Sequence, residues 1–170
     1  MLLTLCLLWA SLFLRSLAQN ANVTLVPVAV GFEADNTAFH YSSAPLLIAN
    51  DGSAANGGFR TFNVQKKSGW TEKAHLKTGR SKVALPISKV GDRDIVVTIA
   101  ATDSVMRAFD AEKFSEIEDA RKYILGDWST LCSWRSSSSG NLYLFLFGKK
   151  MTVQLLVRSY QKKIQFLEAR

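Results

Sequence analysis

Three stretches of this chain repeat one arrangement at one interval, and that repetition limits the folds open to it. Leu46-Leu47-Ile48-Ala49 is followed by a turn-rich stretch from Asn50 to Gly58 and then by Phe59-Arg60-Thr61-Phe62-Asn63-Val64. Ile95-Val96-Val97-Thr98-Ile99-Ala100 is followed by a turn at Thr102-Asp103-Ser104 and then by Val105-Met106-Arg107-Ala108-Phe109. Leu142-Tyr143-Leu144-Phe145-Leu146-Phe147 is followed by a turn at Gly148-Lys149-Lys150 and then by Met151 to Val157. Each is a nearly continuous apolar strand, a turn, and a more alternating strand. A buried strand beside a half-exposed neighbour has that pattern.

The centres of the first strands fall at Ile48, Val96 and Leu144, two intervals of 48 residues. Periods between about 40 and 50 residues with several strands per unit are the signature of propeller blades. A β-sandwich also offers hairpins and is the competing architecture. Repetition is favoured because the internal layout recurs with the distance. The fold expected is therefore all-β, a partial β-propeller of about three hairpin or blade units.

Segments between the hairpins supply further strands. Lys82-Val83-Ala84-Leu85-Pro86-Ile87 reads as a strand with proline at its end or edge, and Lys163-Ile164-Gln165-Phe166-Leu167 alternates as another. In Ala111 to Leu125, Phe114, Ile117, Ala120, Arg121 and Ile124 fall at helical spacing. That stretch reads as a short surface helix or an irregular loop with helical turns. Ser136 to Gly140 is a loop.

The N-terminus is laid out for export. Leu2 to Leu14 is an apolar run of 13 residues broken by Thr4 and Ser11. Arg15 ends it, and Ser16-Leu17-Ala18 offers small residues at the −3 and −1 positions of a cleavage site before Gln19. The run is short of the roughly 20 residues a membrane-spanning helix needs. The division expected is a signal peptide over 1–18, a lead-in over 19–44 and the propeller portion over 45–170, in a secreted chain with no membrane attachment after cleavage. Asn22-Val23-Thr24 is an N-glycosylation sequon, which makes Asn22 a candidate glycan site. Cleavage removes Cys6 and leaves Cys132 alone, expected to be buried beside Trp128, Leu131 and Trp134.

Charge is basic but spread out. The mature chain has 20 Lys and Arg against 14 Asp and Glu, a net +6 once Arg15 is removed. The pairs Lys66-Lys67, Lys149-Lys150 and Lys162-Lys163 lie far apart. A dispersed excess reads as a solvated surface, and in functional form as attraction to anionic ligands. No nucleic-acid partner is expected.

Catalytic arrangements are sparse. His40 and His75 have no metal-ligand spacing and read as ordinary loop residues. There is no Gly-x-Ser-x-Gly elbow, no phosphate-cradling loop and no Cys-x-x-Cys. Asp92-Arg93-Asp94 and Asp51 are possible cation ligands but read first as turn residues. Lys149, at a hairpin tip, is the candidate phosphate contact, because a lysine there presents a point charge.

At the hairpins the sequence resembles β-propeller phytases, particularly the long secreted versions of fungi. The resemblance rests on Leu46 to Gly52 with Gly57 to Phe62, on Asp94 to Ala101 with Asp103 to Asp110, and on Gly140 to Lys150. It covers about residues 45 to 160, as an ordered series rather than one diagnostic motif. It implies part of a six-bladed propeller. The implied parent activity is calcium-dependent hydrolysis of phytate or another phosphomonoester, with calcium neutralising phosphates and activating water. It also implies remaining blades in a longer chain.

Carried over residue by residue, most of the family's ligands are absent. The acidic entry run is reduced to Glu33 and Asp35, followed by Ser43-Ala44-Pro45. The polar strand expected after Gly79-Arg80 reads Ser81-Lys82-Val83-Ala84-Leu85. Asn50 to Asn56 replaces the basic first turn, and Asp103 replaces an arginine. Lys149 alone falls where the family places a phosphate-binding lysine. These 170 residues are therefore expected not to hydrolyse phytate by themselves, and the alternative is a non-catalytic secreted propeller module that binds a partner. Three units cannot close a ring, so Ile48, Phe62, Leu146 and Leu155 are expected to be partly uncovered and the isolated chain to be poorly soluble or oligomeric.

Overall fold

A computed structural model describes residues 31–41, 45–65 and 69–168. The expected signal segment, its expected cleavage site and Asn22 lie outside them. The strands are β1 (Thr37–His40), β2 (Leu46–Asp51), β3 (Gly58–Gln65), β4 (Gly69–Lys77), β5 (Ser81–Val90), β6 (Arg93–Ala100), β7 (Val105–Asp110), β8 (Lys122–Tyr123), β9 (Trp128–Arg135), β10 (Leu142–Gly148), β11 (Thr152–Tyr160) and β12 (Lys163–Glu168). They form three four-stranded antiparallel sheets, each a meander of consecutive strands: sheet A from β1 to β4, sheet B from β5 to β8, sheet C from β9 to β12.

The three expected hairpins are β2–β3, β6–β7 and β10–β11. The first turn begins later than the sequence suggests, because Asn50 and Asp51 remain in β2. Ala111 to Leu125 takes the irregular alternative. A bridge from Phe109 to Glu116, one 3-10 turn at Glu118–Ala120 and the two-residue β8 occupy it. Among the described residues no helix is long and apolar enough to cross a membrane.

The sheets stack face on face. Paired residues share a face, so sheet A turns Ile48 and Phe59 toward sheet B, where they meet Ala84, Val96 and Phe109. The Phe59 and Phe109 rings meet edge to face at 5.2 Å between centroids. Sheet B turns its other face, including Ile95, Val97, Ile99 and Met106, toward Leu142, Leu144, Leu146 and Leu155 of sheet C. Sheet B is thus covered on both sides, and β6 is buried without interruption from Ile95 to Ala100. Each fully buried Leu, Ile or Met adds about 1.5–3 kcal/mol. The first strands of successive sheets lie together, β1 against β5 and β5 against β9.

One polar group in these seams, Asn50, is used at both its oxygen and its nitrogen, while the buried Thr61 hydroxyl has no partner among the described residues. Asn50 is fully buried. Its amide donates to Ser81 O at 2.8 Å, and its oxygen accepts from the Asp35 and Asn36 amides at 3.0 and 2.6 Å. That one side chain ties the lead-in segment and sheet A to sheet B.

The expectation that Ile48, Phe62, Leu146 and Leu155 are partly uncovered is wrong: they are 0, 3, 0 and 0% exposed. Ile48, Leu146 and Leu155 point into the seams, and Phe62 lies under the Phe32 ring, 6.0 Å away. The open face of sheet C carries the residues of opposite parity. By register, Trp134, Tyr143, Leu156 and Leu167 form one row across all four strands. Trp134 is 54% exposed and stacks on Tyr143 at 5.7 Å. Cys132, expected to be buried, is exposed. It pairs with Phe145 on that same outer face, whereas Leu131, opposite Leu146, points inward. A register shift at Phe147/Gly148 turns Trp128 inward with Leu131, and its indole N–H donates to Ile124 O at 2.9 Å.

Candidate functional site

The residues singled out in the sequence scatter over the fold. Lys149 lies in the β10–β11 turn, where Gly148 N–H donates to Met151 O at 2.9 Å. Its ammonium is exposed and pairs with Asp127 at 3.1 Å, and Lys82 reaches the same carboxylate at 3.4 Å. The hydrogen bond from Lys149, its charge and that of Lys82 hold the Asp127 carboxyl below its ordinary value. As a phosphate contact, Lys149 would have to leave Asp127.

Asp51 is a strand residue and fully buried. It accepts the Ser53 N–H at 3.0 Å and the Arg60 Nε–H at 3.0 Å. Burial pushes its carboxyl up, but the Ser53 hydrogen bonds and Arg60 outweigh burial and leave it lowered. Arg60 also donates to Glu72 at 2.9 Å. The histidines are not loop residues: His40 ends β1 and His75 lies in β4. His75 Nε2 sits 2.8 Å from Asn56 O and 3.6 Å from Asp51. His40 is buried with Nε2 3.2 Å from Asp94 Oδ2, without the angle a hydrogen bond requires.

Asp92, Asp94, Asp103 and Asp110 are also occupied. Asp92 pairs with Arg93 at 3.3 Å. Asp94 accepts the Lys89 N–H at 2.8 Å. Asp103 is bound by the Arg107 guanidinium, which lowers its carboxyl. Asp110 accepts the Glu112 and Lys113 amides at 3.0 and 2.9 Å. A calcium site needs several carboxylate oxygens free to converge on one cation. Among the described residues no group of three or more His, Cys, Asp or Glu is placed to hold a metal, and Asp51, Asp92, Asp94, Asp103, Asp110 and Asp127 do not fit calcium because their oxygens already face cations or amides.

A different arrangement stands out where sheets B and C meet. The β5–β6 turn, the β9–β10 loop and the β11–β12 hairpin enclose a cleft of about 530 Å³. Lys89, Arg135, Arg158 and Lys163 line it together with Asn141, Tyr160 and Gln165, and no acidic side chain does. Arg135 is pinned by three carbonyls, Lys89 O at 2.8 Å, Ser88 O at 3.2 Å and Gly140 O at 3.3 Å. Lys163 has a loose partner in Asp119 at 3.7 Å. Among the described residues Lys89, Arg135 and Arg158 have no carboxylate within 4.0 Å.

Backbone geometry holds this cleft. Gly91 takes φ +67°, and a Cβ there would stand 3.0 Å from Ser159 Cβ and overlap its hydroxyl. Gln161 and Lys162, the two central residues of the β11–β12 turn, both have positive φ, +47° and +65°, as does Lys89 at +57°. Such values cost an L-residue about 1–2 kcal/mol each, and turns with both central residues there normally use Asn or Gly. Strained positions of this kind gather at functional sites.

Sequence reasoning missed the cleft because its cations stand at positions 89, 135, 158 and 163, which read as dispersed charge. Only the pairing of strands brings them together. Compared with protein-family models, with curated proteins and with solved structures, the chain matches none.

Proposed function

We propose that this chain contributes three blades of a secreted β-propeller, and that it binds a multiply charged, phosphate-bearing anion without hydrolysing it. The observation that supports anion binding is the cleft between sheets B and C, with four cationic side chains and no acidic one. An anion there would replace water around charges that have little internal compensation, and charge-assisted hydrogen bonds are worth about 1.5–3 kcal/mol each. Arg135, already held by carbonyls, loses little freedom on binding. The propeller reading is supported by three successive four-stranded meanders with their first strands side by side.

Hydrolysis with calcium, as the phytase resemblance implies, would require carboxylates free to bind the metal. Asp51, Asp94, Asp103 and Asp127 each face a cationic or imidazole side chain instead. Binding is therefore the better reading of these residues, and the signal-like layout of Leu2 to Ala18 supports a role outside the cell.

Calorimetric titration with inositol hexakisphosphate and with tripolyphosphate tests the proposal. Micromolar binding is expected, weakening as salt rises and falling at least tenfold in both Arg158→Ala and Lys89→Ala. Unchanged binding in these variants, or none in the parent chain at low salt, refutes it. Release of inorganic phosphate on adding calcium refutes the non-catalytic part.

A further inference from the structure

A line of contacts crosses all three sheets and ends in the basic cleft. His40, the last residue of β1, is 2% exposed, and its Nε2 has no hydrogen-bond partner among the described residues. That nitrogen faces Asp94 Oδ2 of β6 at 3.2 Å. The other oxygen of Asp94 accepts the Lys89 N–H at 2.8 Å. Lys89 takes a left-handed φ of +57°, a conformation that persists only where the surroundings hold it. Its carbonyl in turn accepts from Arg135 at 2.8 Å, and both side chains line the cleft. An imidazole on sheet A is thus joined to a guanidinium on sheet C through one carboxylate and one strained residue of sheet B.

We propose that anion binding in the cleft is linked to a proton on His40, with His40 and Asp94 acting as positioning residues. The inference rests on the anion-binding reading and names the regulation of that site. Imidazole is the side chain whose charge ordinarily changes between about pH 5 and 8. When the ring is protonated, Nε2–H is a charged donor beside Asp94, and the carboxylate is held at both oxygens. When the ring is neutral, Asp94 is anchored at one oxygen, the Lys89 turn is free to relax, and Arg135 loses the carbonyl that aims it. Charge acts in the same direction. The cavity that Asp94 lines shares Lys89 and Gly91 with the cleft, so a neutral ring leaves a nearby negative charge uncompensated, which opposes an anion. Binding therefore tightens as pH falls, and by linkage the anion draws a proton onto the protein. Among the described residues Asp94 is the one carboxylate within 4.0 Å of His40. Around it stand Lys89, Asp92, Arg93, Asp110, Glu112 and Lys113. Of the strands packed on β1, β2 carries Asp51 at its far end, and β5 carries Lys82 and Lys89. Carboxylates, lysines and arginines ordinarily keep their charge over that pH range, which leaves His40 as the group that changes.

Calorimetric titration with inositol hexasulfate tests this, because sulfate esters stay ionised throughout and any pH dependence then belongs to the protein. Affinity is expected to rise at least about fivefold from about pH 8 to about pH 5. Titrations in buffers of different ionisation enthalpy should show proton uptake on binding. His40→Gln keeps a neutral donor near Asp94, and Asp94→Asn keeps an acceptor for the Lys89 N–H. Each should bind with a flat pH profile and without proton uptake, whereas a purely structural role would lower affinity equally at every pH. His75→Gln, away from this path, should keep the full dependence. If His40→Gln does not fold, Asp94→Asn and the proton count on the parent chain decide the matter. Dependence that survives in His40→Gln or Asp94→Asn, or that disappears in His75→Gln, overturns the proposal. A flat profile in the parent chain, with binding still lost in Arg158→Ala, refutes the proton link and leaves the anion reading standing. No binding at any pH refutes both.

Discussion

Replacing Arg60 with alanine isolates the buried charge of Asp51. In the native fold Asp51 is 0% exposed and Arg60 19% exposed, joined at 3.0 Å. Removing one partner of a buried ion pair typically costs about 3–5 kcal/mol, because the remaining charge stays desolvated. Here the lower end applies. Asp51 keeps the Ser53 N–H at 3.0 Å and has His75 Nε2 at 3.6 Å, and the guanidinium is already partly solvated. About 3 kcal/mol is therefore expected for Arg60→Ala at pH 7. That corresponds to a fall in Tm of roughly 6–12 °C for a domain of this size. Adding Asp51→Asn to Arg60→Ala removes the stranded charge and should recover about 1–2 kcal/mol, so the double variant melts above the single one. Urea and thermal melts of the four proteins read the cycle directly. If Arg60→Ala costs under about 0.5 kcal/mol, or if Asp51→Asn makes it worse by its full single-variant cost, the pair does not act as described. The same melts with EDTA and then calcium should coincide. A calcium-dependent rise in Tm that Asp51→Asn abolishes would make Asp51 a metal ligand instead.

Acid should destabilise the fold in a defined window. The carboxyls of Asp51, Asp103 and Asp127 are lowered from 3.8 in the folded state, so their contribution is fully present above about pH 3.8 and is lost as pH falls below it; urea melts between pH 6 and 2.5 should show this, with a shallower acid limb in Asp51→Asn. Gly91→Ala should cost about 1–3 kcal/mol from its φ of +67° and the overlap with Ser159, and Ser159→Gly should return part of it in urea melts. Leu144→Ala, at a fully buried position in the seam between sheets B and C, should cost about 2–5 kcal/mol by the same melts. N-terminal sequencing of secreted protein should begin at Gln19, and material beginning at Met1 would refute cleavage after Ala18.

The hairpins were legible because their leading strands are nearly continuous apolar runs: β6 is covered on both faces, and β10 carries aromatic residues on its open face as well as leucines on its buried one. Strands at the sheet margins were not. β1 is the four residues Thr-Ala-Phe-His, too short for a period, and β4 is Gly-Trp-Thr-Glu-Lys-Ala-His-Leu-Lys, polar because it lines an edge. The 48-residue interval proves to be a spacing of strands and not of faces. Ile48 points to the following sheet, while Val96 and Leu144 point to the preceding one. Bulges at Thr61/Phe62, within β5 and at Phe147/Gly148 shift parity along the chain, which is also why the side of Cys132 could not be read from its aromatic neighbours. Of the site, Lys149 was placed correctly on its turn, but its partner Asp127 lies 22 residues earlier and across a strand. The basic cleft depends entirely on such long-range pairing.

The double coverage of sheet B has a kinetic consequence. Its amides cannot reach solvent by the loss of one neighbouring sheet, since the other still shields the opposite face. Hydrogen exchange at Val96, Val97 and Thr98 should therefore require opening of the whole stack and follow global stability. Sheets A and C, each shielded from one side within the chain, can release their marginal strands β4 and β12 in smaller excursions. Protection measured strand by strand should rise from both ends toward the middle of the sequence, so that the central third of the chain is the last part to let go.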